Sequence, residues 1–78
     1  MIEHKKLDPK LIDVVAEVLF CEVGDIFLLD GHIPSRVNLA KTAVDTFDIR
    51  IEDAVLCITR MEELYTTELK SYGYKLPE

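Results

Sequence analysis

Few side chains in this 78-residue chain have the type and position to do chemistry. Ser35 follows a turn signal at Asp30 and Gly31 and lies near the predicted start of a helix. An exposed hydroxyl there could accept a group from a transferase, or it could be an ordinary surface serine. His32 beside Asp30 could form an acid–base pair or join a metal site, but a metal normally needs three or four converging ligands. The other histidine, His4, belongs to the polar lead-in, so we interpret His32 as a loop histidine without a further role.

The two cysteines, Cys21 and Cys57, are too few for a dense disulfide framework. Nothing near either one in the sequence would activate its thiol. We therefore expect two free thiols in a reducing cytoplasm, each either packed in the core or without a role. The carboxylates are spread along the chain, and there is no glycine-rich phosphate loop or nucleophile elbow. The sequence therefore predicts no catalytic residues, no metal site and no enzymatic activity.

Charge and hydropathy narrow the classes of partner. Nine basic and fifteen acidic residues give a formal net charge of −6, which argues against nucleic acid because its phosphates would be repelled. The charge permits a partner protein with a basic surface, or it merely keeps a small protein in solution. The apolar runs are too short to cross a bilayer, and the first ten residues lack the apolar core of a signal peptide. These features predict a cytoplasmic protein.

The first helix is predicted over residues 9–21. Asp8 suits the N-cap position and Pro9 the first helical position. Gly24 marks a break after the helix, and residues 25–31 are interpreted as a loop rather than a buried strand. The helical pattern is a stripe of apolar residues at i, i+3, i+4, i+7 and i+8, formed by Leu11, Val14, Val15, Val18 and Leu19.

The second helix is predicted to begin at Pro34, whose missing N–H costs nothing at the first position, and to end at Phe47. Residues 47–51 alternate between apolar and polar types. They have no partner strand, so an extended connector that buries alternate side chains is expected. The apolar stripe of this helix contains Val37, Leu39, Ala40, Ala43, Val44 and Phe47.

Two further helices are expected. The first is short and opens at Glu52. Thr59 and Glu62 have the form of a capping box, which predicts the start of the last helix, and Gly73 is its natural stop.

These elements predict an all-α fold, a small four-helix bundle with three main helices, one short helix, an up–down arrangement and a long first connection. The whole chain, residues 1–78, makes one domain, with 1–7 and 74–78 expected to be loose.

Residues 47–53, FDIRIED, are similar to the end of helix two in the acyl carrier proteins, and the order of the other elements resembles that family over roughly residues 9–70. The resemblance implies an acyl-carrier-protein-like fold and a role in acyl or peptidyl thioester metabolism, such as fatty acid or polyketide biosynthesis. It also implies a 4'-phosphopantetheine arm on a serine at the start of helix two, and carrier-type enzymes or a specific binding protein as partners.

The chain departs from that family at the attachment position. Counting back fourteen positions from Phe47, the usual spacing in the family, leads to Ile33 rather than to serine. Ser35 is the nearest hydroxyl, and for a carrier-like module it is the only conceivable attachment point for the arm. Two alternatives therefore stay open: a protein-interaction or regulatory module on the carrier fold without an arm, or a small helical regulator unrelated to carriers. The expected partner-docking face contains Arg36, Lys41, Asp45, Asp48, Glu52 and Asp53.

Overall fold

The computed structural model describes residues 5–76 and confirms the predicted all-α bundle. After a 3₁₀ turn at Pro9–Leu11, this part of the chain forms four helices: α1 (Ile12–Asp30), α2 (Arg36–Phe47), α3 (Ile51–Leu64) and α4 (Thr66–Ser71). Within residues 5–76 there is no strand, only one isolated parallel bridge between Lys5 and Ile49.

The start of α1 follows the sequence signals, but its end does not. Asp8 Oδ1 accepts the backbone N–H of Lys10 at 3.0 Å, and Pro9 begins the 3₁₀ turn that leads into the helix. The helix then continues to Asp30, so the predicted break at Gly24 and the predicted loop at 25–31 are both wrong.

The reason is tertiary packing on the second half of α1. Phe27 stacks on Tyr72 with ring centroids 5.1 Å apart. A Cβ at Gly24 would lie 3.4 Å from the hydroxyl oxygen of Tyr72, an ordinary contact distance, so Tyr72 packs directly over this position. Glycine inside a helix costs roughly 1 kcal/mol relative to alanine, which aromatic contacts of this kind offset. The helix ends instead at Gly31, which adopts φ of 73° and donates its N–H to the carbonyl oxygen of Phe27 at 2.9 Å.

The first connection comprises only residues 31–35, so the predicted long connection is wrong. The second helix begins at Arg36, two residues later than predicted, because Ser35 is its N-cap. Ser35 has extended backbone angles, and its Oγ accepts the N–H of Asn38 at 3.2 Å. The helix ends at Phe47, as predicted.

The connector after α2 matches the prediction only at Ile49. Asp48 is not extended but left-handed, with φ of 54°, and Ile51 is 50% exposed as the first residue of α3. Ile49 is buried, with 3% of its surface exposed. Lys5 donates its N–H to the carbonyl oxygen of Asp48 at 2.9 Å, and Arg50 donates its N–H to the carbonyl oxygen of Lys5 at 3.3 Å. The amino-terminal segment is thereby attached to the bundle.

The last two helices have lengths opposite to the prediction. The third helix is continuous over Ile51–Leu64, and Thr59 lies exposed in its interior, so the predicted capping box is wrong. Glu62, its expected partner, faces the core. The fourth helix has only six residues, and Gly73 follows it with φ of 88°, as the predicted stop.

The third helix occupies the centre of the bundle, packing along α1 on one side and α2 on the other. Loose ends were expected at 1–7 and 74–78, but Leu7 and Tyr74 are both buried. Residues 1–4 and 77–78 lie outside the described part of the chain. The largest fully buried side chains are Leu19, Val23, Leu39, Cys57, Ile58, Met61 and Leu69.

Candidate functional site

Ser35 is exposed at the start of α2 and lines a cavity of about 350 Å³ between the α1–α2 loop and the carboxyl-terminal segment. Ile33, the residue at the family's attachment position, is partly buried against the core. Ser35 therefore presents its hydroxyl at a helix amino terminus, where backbone N–H groups and the helix dipole favour a phosphate. That geometry permits attachment of a phosphoryl group.

Arg36, Glu62 and Tyr74 form a polar cluster next to Ser35, in which the side chain of Arg36 remains 46% exposed. The Arg36 guanidinium contacts both carboxylate oxygens of Glu62 at 3.0 Å, and the Tyr74 hydroxyl donates to Glu62 Oε2 at 2.7 Å. Glu62 and Tyr74 are only 5% and 6% exposed. Burial raises the pKa of Tyr74 far above its ordinary value, and the Glu62 carboxylate raises it further.

This cluster joins α2, α3 and the carboxyl-terminal segment, and the sequence reasoning missed it. One signal was available: Glu62 follows Met61 and Ile58 in the helical register that faces the core. The buried side-chain polar atoms of the cluster all have partners within residues 5–76, and its bonds connect the first residue of α2 to α3 and to the carboxyl-terminal segment.

Asp53 makes a second internal cluster at the start of α3. Its Oδ2 accepts the N–H of Leu7 at 2.9 Å and the Nε–H of Arg50 at 3.3 Å. The Leu7 N–H, aided by the guanidinium of Arg50, holds the pKa of this carboxyl below its usual range. Asp53 is buried, so it does not lie on the docking face on which it was expected.

An apolar groove of about 370 Å³ runs between α2 and α3. Val37, Ile51 and Val55 leave 64%, 50% and 46% of their surfaces exposed along it. The groove is lined by Val37, Ala40, Ile51, Val55 and Ile58, with Arg36 and Lys41 at its rim.

The structure distributes the expected docking residues over several places. Arg36 and Lys41 border the groove, whereas Asp45, Asp48 and Glu52 are exposed around the junction of α2 and α3. The proposed attachment residue, Ser35, is adjacent in sequence to Arg36, which lines both the groove and the loop cavity.

The remaining candidates are dispersed. His32 is exposed in the loop after α1. No three or more His, Cys, Asp or Glu side chains within residues 5–76 are placed to hold a metal ion. Cys21 is exposed and Cys57 is buried, both as free thiols; burial, with the nearby Asp53 charge, raises the pKa of Cys57 to about 11.

None of the helices within residues 5–76 has the length and apolar character to cross a membrane.

No protein-family model, curated protein or solved structure matches this chain. The resemblance to acyl carrier proteins therefore gains no support from known proteins.

Proposed function

We propose that this protein is a non-enzymatic protein-binding module, in which the α2–α3 groove receives an apolar side chain from an acidic segment of a partner. The observation that carries the proposal is the groove itself, with exposed apolar walls and cationic side chains at its rim. Apolar anchors that fill a pocket commonly dominate the free energy of protein association.

The size of the groove suits such an anchor. Its volume of about 370 Å³ falls within the range of small binding pockets. Removing apolar surface from water contributes about 25 cal/mol per Å². Covering Val37, Ile51 and Val55 would therefore favour binding, since each is half exposed or nearly so in the free protein.

The rim selects the charge of the partner. Lys41 is exposed and makes no ion pair among residues 5–76, so its ammonium group is available to a carboxylate. Arg36 lies beside it, but the Glu62 carboxylate balances the charge of its guanidinium, so Lys41 supplies the net positive charge of the rim. An acidic segment would be attracted to this rim, whereas a basic segment would be repelled.

The test uses peptides selected from a displayed random library against the immobilised protein, then synthesised and titrated in solution. We expect a bulky apolar residue beside aspartate or glutamate, and a loss of affinity of about tenfold or more in Val55→Asp. Leu56→Asp is the matched control, because Leu56 is the next residue of α3, is 54% exposed and does not line the groove.

Peptides that bind Val55→Asp and wild-type protein equally would place the binding surface elsewhere. Selected peptides without acidic residues, and with affinities unchanged in Lys41→Glu, would contradict the charge assignment.

A second candidate function is that of a carrier with a 4'-phosphopantetheine arm on Ser35. It is favoured by the exposed hydroxyl at the start of α2, next to a residue that borders the apolar groove. Incubation with coenzyme A and a broad-specificity phosphopantetheinyl transferase should then add the mass of the arm to wild-type protein but not to Ser35→Ala. If no mass is gained under conditions in which a known carrier is fully modified, the carrier function is excluded and the protein-binding module remains the proposed function.

We also propose the cytoplasm as the location. Cys21 is an exposed free thiol, and a reducing compartment would keep it in this form.

A further inference from the structure

The longest helix, α1, is apolar on two opposite faces. Its core face carries Val15, Ala16, Leu19 and Val23, all buried. With 100° per residue, a second set of side chains points away from the core. This set, which we call the outer stripe, begins in the 3₁₀ turn and follows the spacing 3, 4, 3 and 7: Leu11, Val14, Val18, Cys21 and Leu28.

The outer stripe is open to solvent. Val14 and Val18 are 54% and 43% exposed, and Leu28 is 80% exposed. An apolar helix face is normally covered by other parts of the protein. Within residues 5–76, however, the bundle packs against the core face of α1 and leaves the outer stripe exposed. Exposed apolar side chains aligned along one helix face, here interrupted at Asp25, are typical of an interaction surface.

The spacing of the stripe indicates what can cover it. Alternating steps of three and four residues are those of a coiled-coil seam, in which the apolar side chains of one helix fit between those of another. The step of seven residues, from Cys21 to Leu28, contains one further seam position, and Asp25 occupies it. The expected occupant is therefore an amphipathic helix lying along α1.

The charges of α1 determine which helix fits. Its sequence, Ile12–Asp30, contains five carboxylates and no lysine or arginine. Asp13 is paired with Arg60 at 2.8 Å. The other four make no ion pair among residues 5–76: Glu17, Glu22, Asp25 and Asp30. In the heptad of the stripe, Glu17 and Glu22 flank the seam, at the positions where charge pairs between helices select the partner.

We propose that the outer stripe of α1 binds an amphipathic helix of a partner protein whose apolar seam is flanked by lysine and arginine. This surface is separate from the α2–α3 groove, and the proposal does not depend on the function assigned to that groove.

A second copy of the chain fits the stripe less well. In a parallel pair, Glu17 of one copy would face Glu22 of the other, and Asp25 would meet Asp25 within the seam. In an antiparallel pair the carboxylates would find no cation on the opposing α1, because the helix has none. Like charges at these positions oppose pairing, whereas a basic helix would neutralise them.

The test uses three fluorescent peptides of about three heptads each, long enough to follow α1. The first has leucine at the seam positions and lysine or arginine at the flanks. The second has the same seam with glutamate flanks, and the third contains the residues of the first in scrambled order. Binding to the full chain is measured by fluorescence anisotropy at several salt concentrations.

We expect the basic-flanked peptide to bind at least about tenfold more tightly than the other two, and to weaken as salt is raised. Val18→Glu should reduce its affinity by about tenfold or more. Val55→Glu, at a comparably exposed valine in the α2–α3 groove, should leave it unchanged. Equal binding of the basic-flanked and scrambled peptides, or loss of binding only in Val55→Glu, would overturn the proposal.

Two further measurements cover the other possible occupants. If sedimentation shows that the wild-type chain is a dimer and that Val18→Glu is a monomer, the stripe binds a second copy of the chain. That result would overturn the proposal of a basic partner helix. Flotation of the protein with neutral phosphatidylcholine vesicles, abolished by Val18→Glu, would assign the stripe to a lipid surface with the same consequence. A monomer that does not float, together with the expected peptide binding, supports the basic helix.

Discussion

Removing the hydroxyl of Tyr74 tests the polar cluster at the start of α2. The change Tyr74→Phe keeps the ring, which is 6% exposed, and deletes only the donor to Glu62 Oε2 at 2.7 Å. A hydrogen bond to a charged acceptor contributes roughly 1.5–3 kcal/mol. Because Arg36 continues to contact both carboxylate oxygens, we expect a loss of about 2 kcal/mol in the free energy of unfolding rather than a larger penalty.

For a domain of this size, 1 kcal/mol corresponds to roughly 4–8 °C, so the melting temperature should fall by about 8–16 °C. The assay is thermal and urea unfolding followed by far-UV circular dichroism. Tyr72→Phe is the matched control. Tyr72 is a neighbouring, partly buried tyrosine whose hydroxyl makes no hydrogen bond within residues 5–76, and its loss should change stability by less than about 0.5 kcal/mol.

A double-mutant cycle distinguishes a coupled cluster from independent contacts. In an Arg36→Met background, the Tyr74 hydroxyl is the remaining side-chain donor to buried Glu62, so Tyr74→Phe should cost more than it does in wild-type protein. A loss below about 0.5 kcal/mol in the wild-type background would refute the reasoning, because it would mean that Glu62 is well solvated.

Three further outcomes are expected. Asp53→Asn should destabilise the protein at neutral pH, as measured by urea unfolding. The difference from wild type should shrink as the pH falls below about 4, because a carboxyl whose folded-state pKa is lowered stabilises the fold only while it is ionised. A difference that does not change with pH would contradict this. A thiol reagent at pH 8 should label only Cys21 in the folded protein and both cysteines in denaturant. The reason is that the Cys57 thiol is buried and its pKa is raised to about 11. Rapid labelling of two thiols without denaturant would count against the fold. Gly31→Ala should lower the melting temperature by an amount equivalent to roughly 1–2 kcal/mol. The reason is that φ of 73° is unfavourable for a residue with a Cβ, even though no atom lies near the position that the Cβ would take. An unchanged melting temperature would show that the end of α1 relaxes.

The correct sequence predictions rested on signals that act within a few residues. Asp8 caps the first turn, and Gly73 ends the last helix. In each case the backbone hydrogen bond or the conformation is decided by the residue and its immediate neighbours.

The wrong predictions used local signals of similar strength that distant contacts outweighed. Gly24 and Thr59 were interpreted as a break and a cap, and both lie inside continuous helices. Each signal is worth about 1 kcal/mol, whereas fully burying one large apolar side chain contributes about 1.5–3 kcal/mol. Phe27 stacks on Tyr72, forty-five positions later in the chain, so the helical extension cannot be deduced locally.

The candidate sites divide in the same way. The sequence by itself determined the all-α class, the net charge, the apolar pattern in the first part of α1, and Ser35 as the hydroxyl nearest the start of the second helix. The tertiary structure decided which α1 face is buried and which is exposed, since both are apolar and only packing against α3 distinguishes them. It also joined Arg36, Glu62 and Tyr74 and opened the groove between α2 and α3, because each of these features combines elements that are distant in sequence and meet only in the folded bundle.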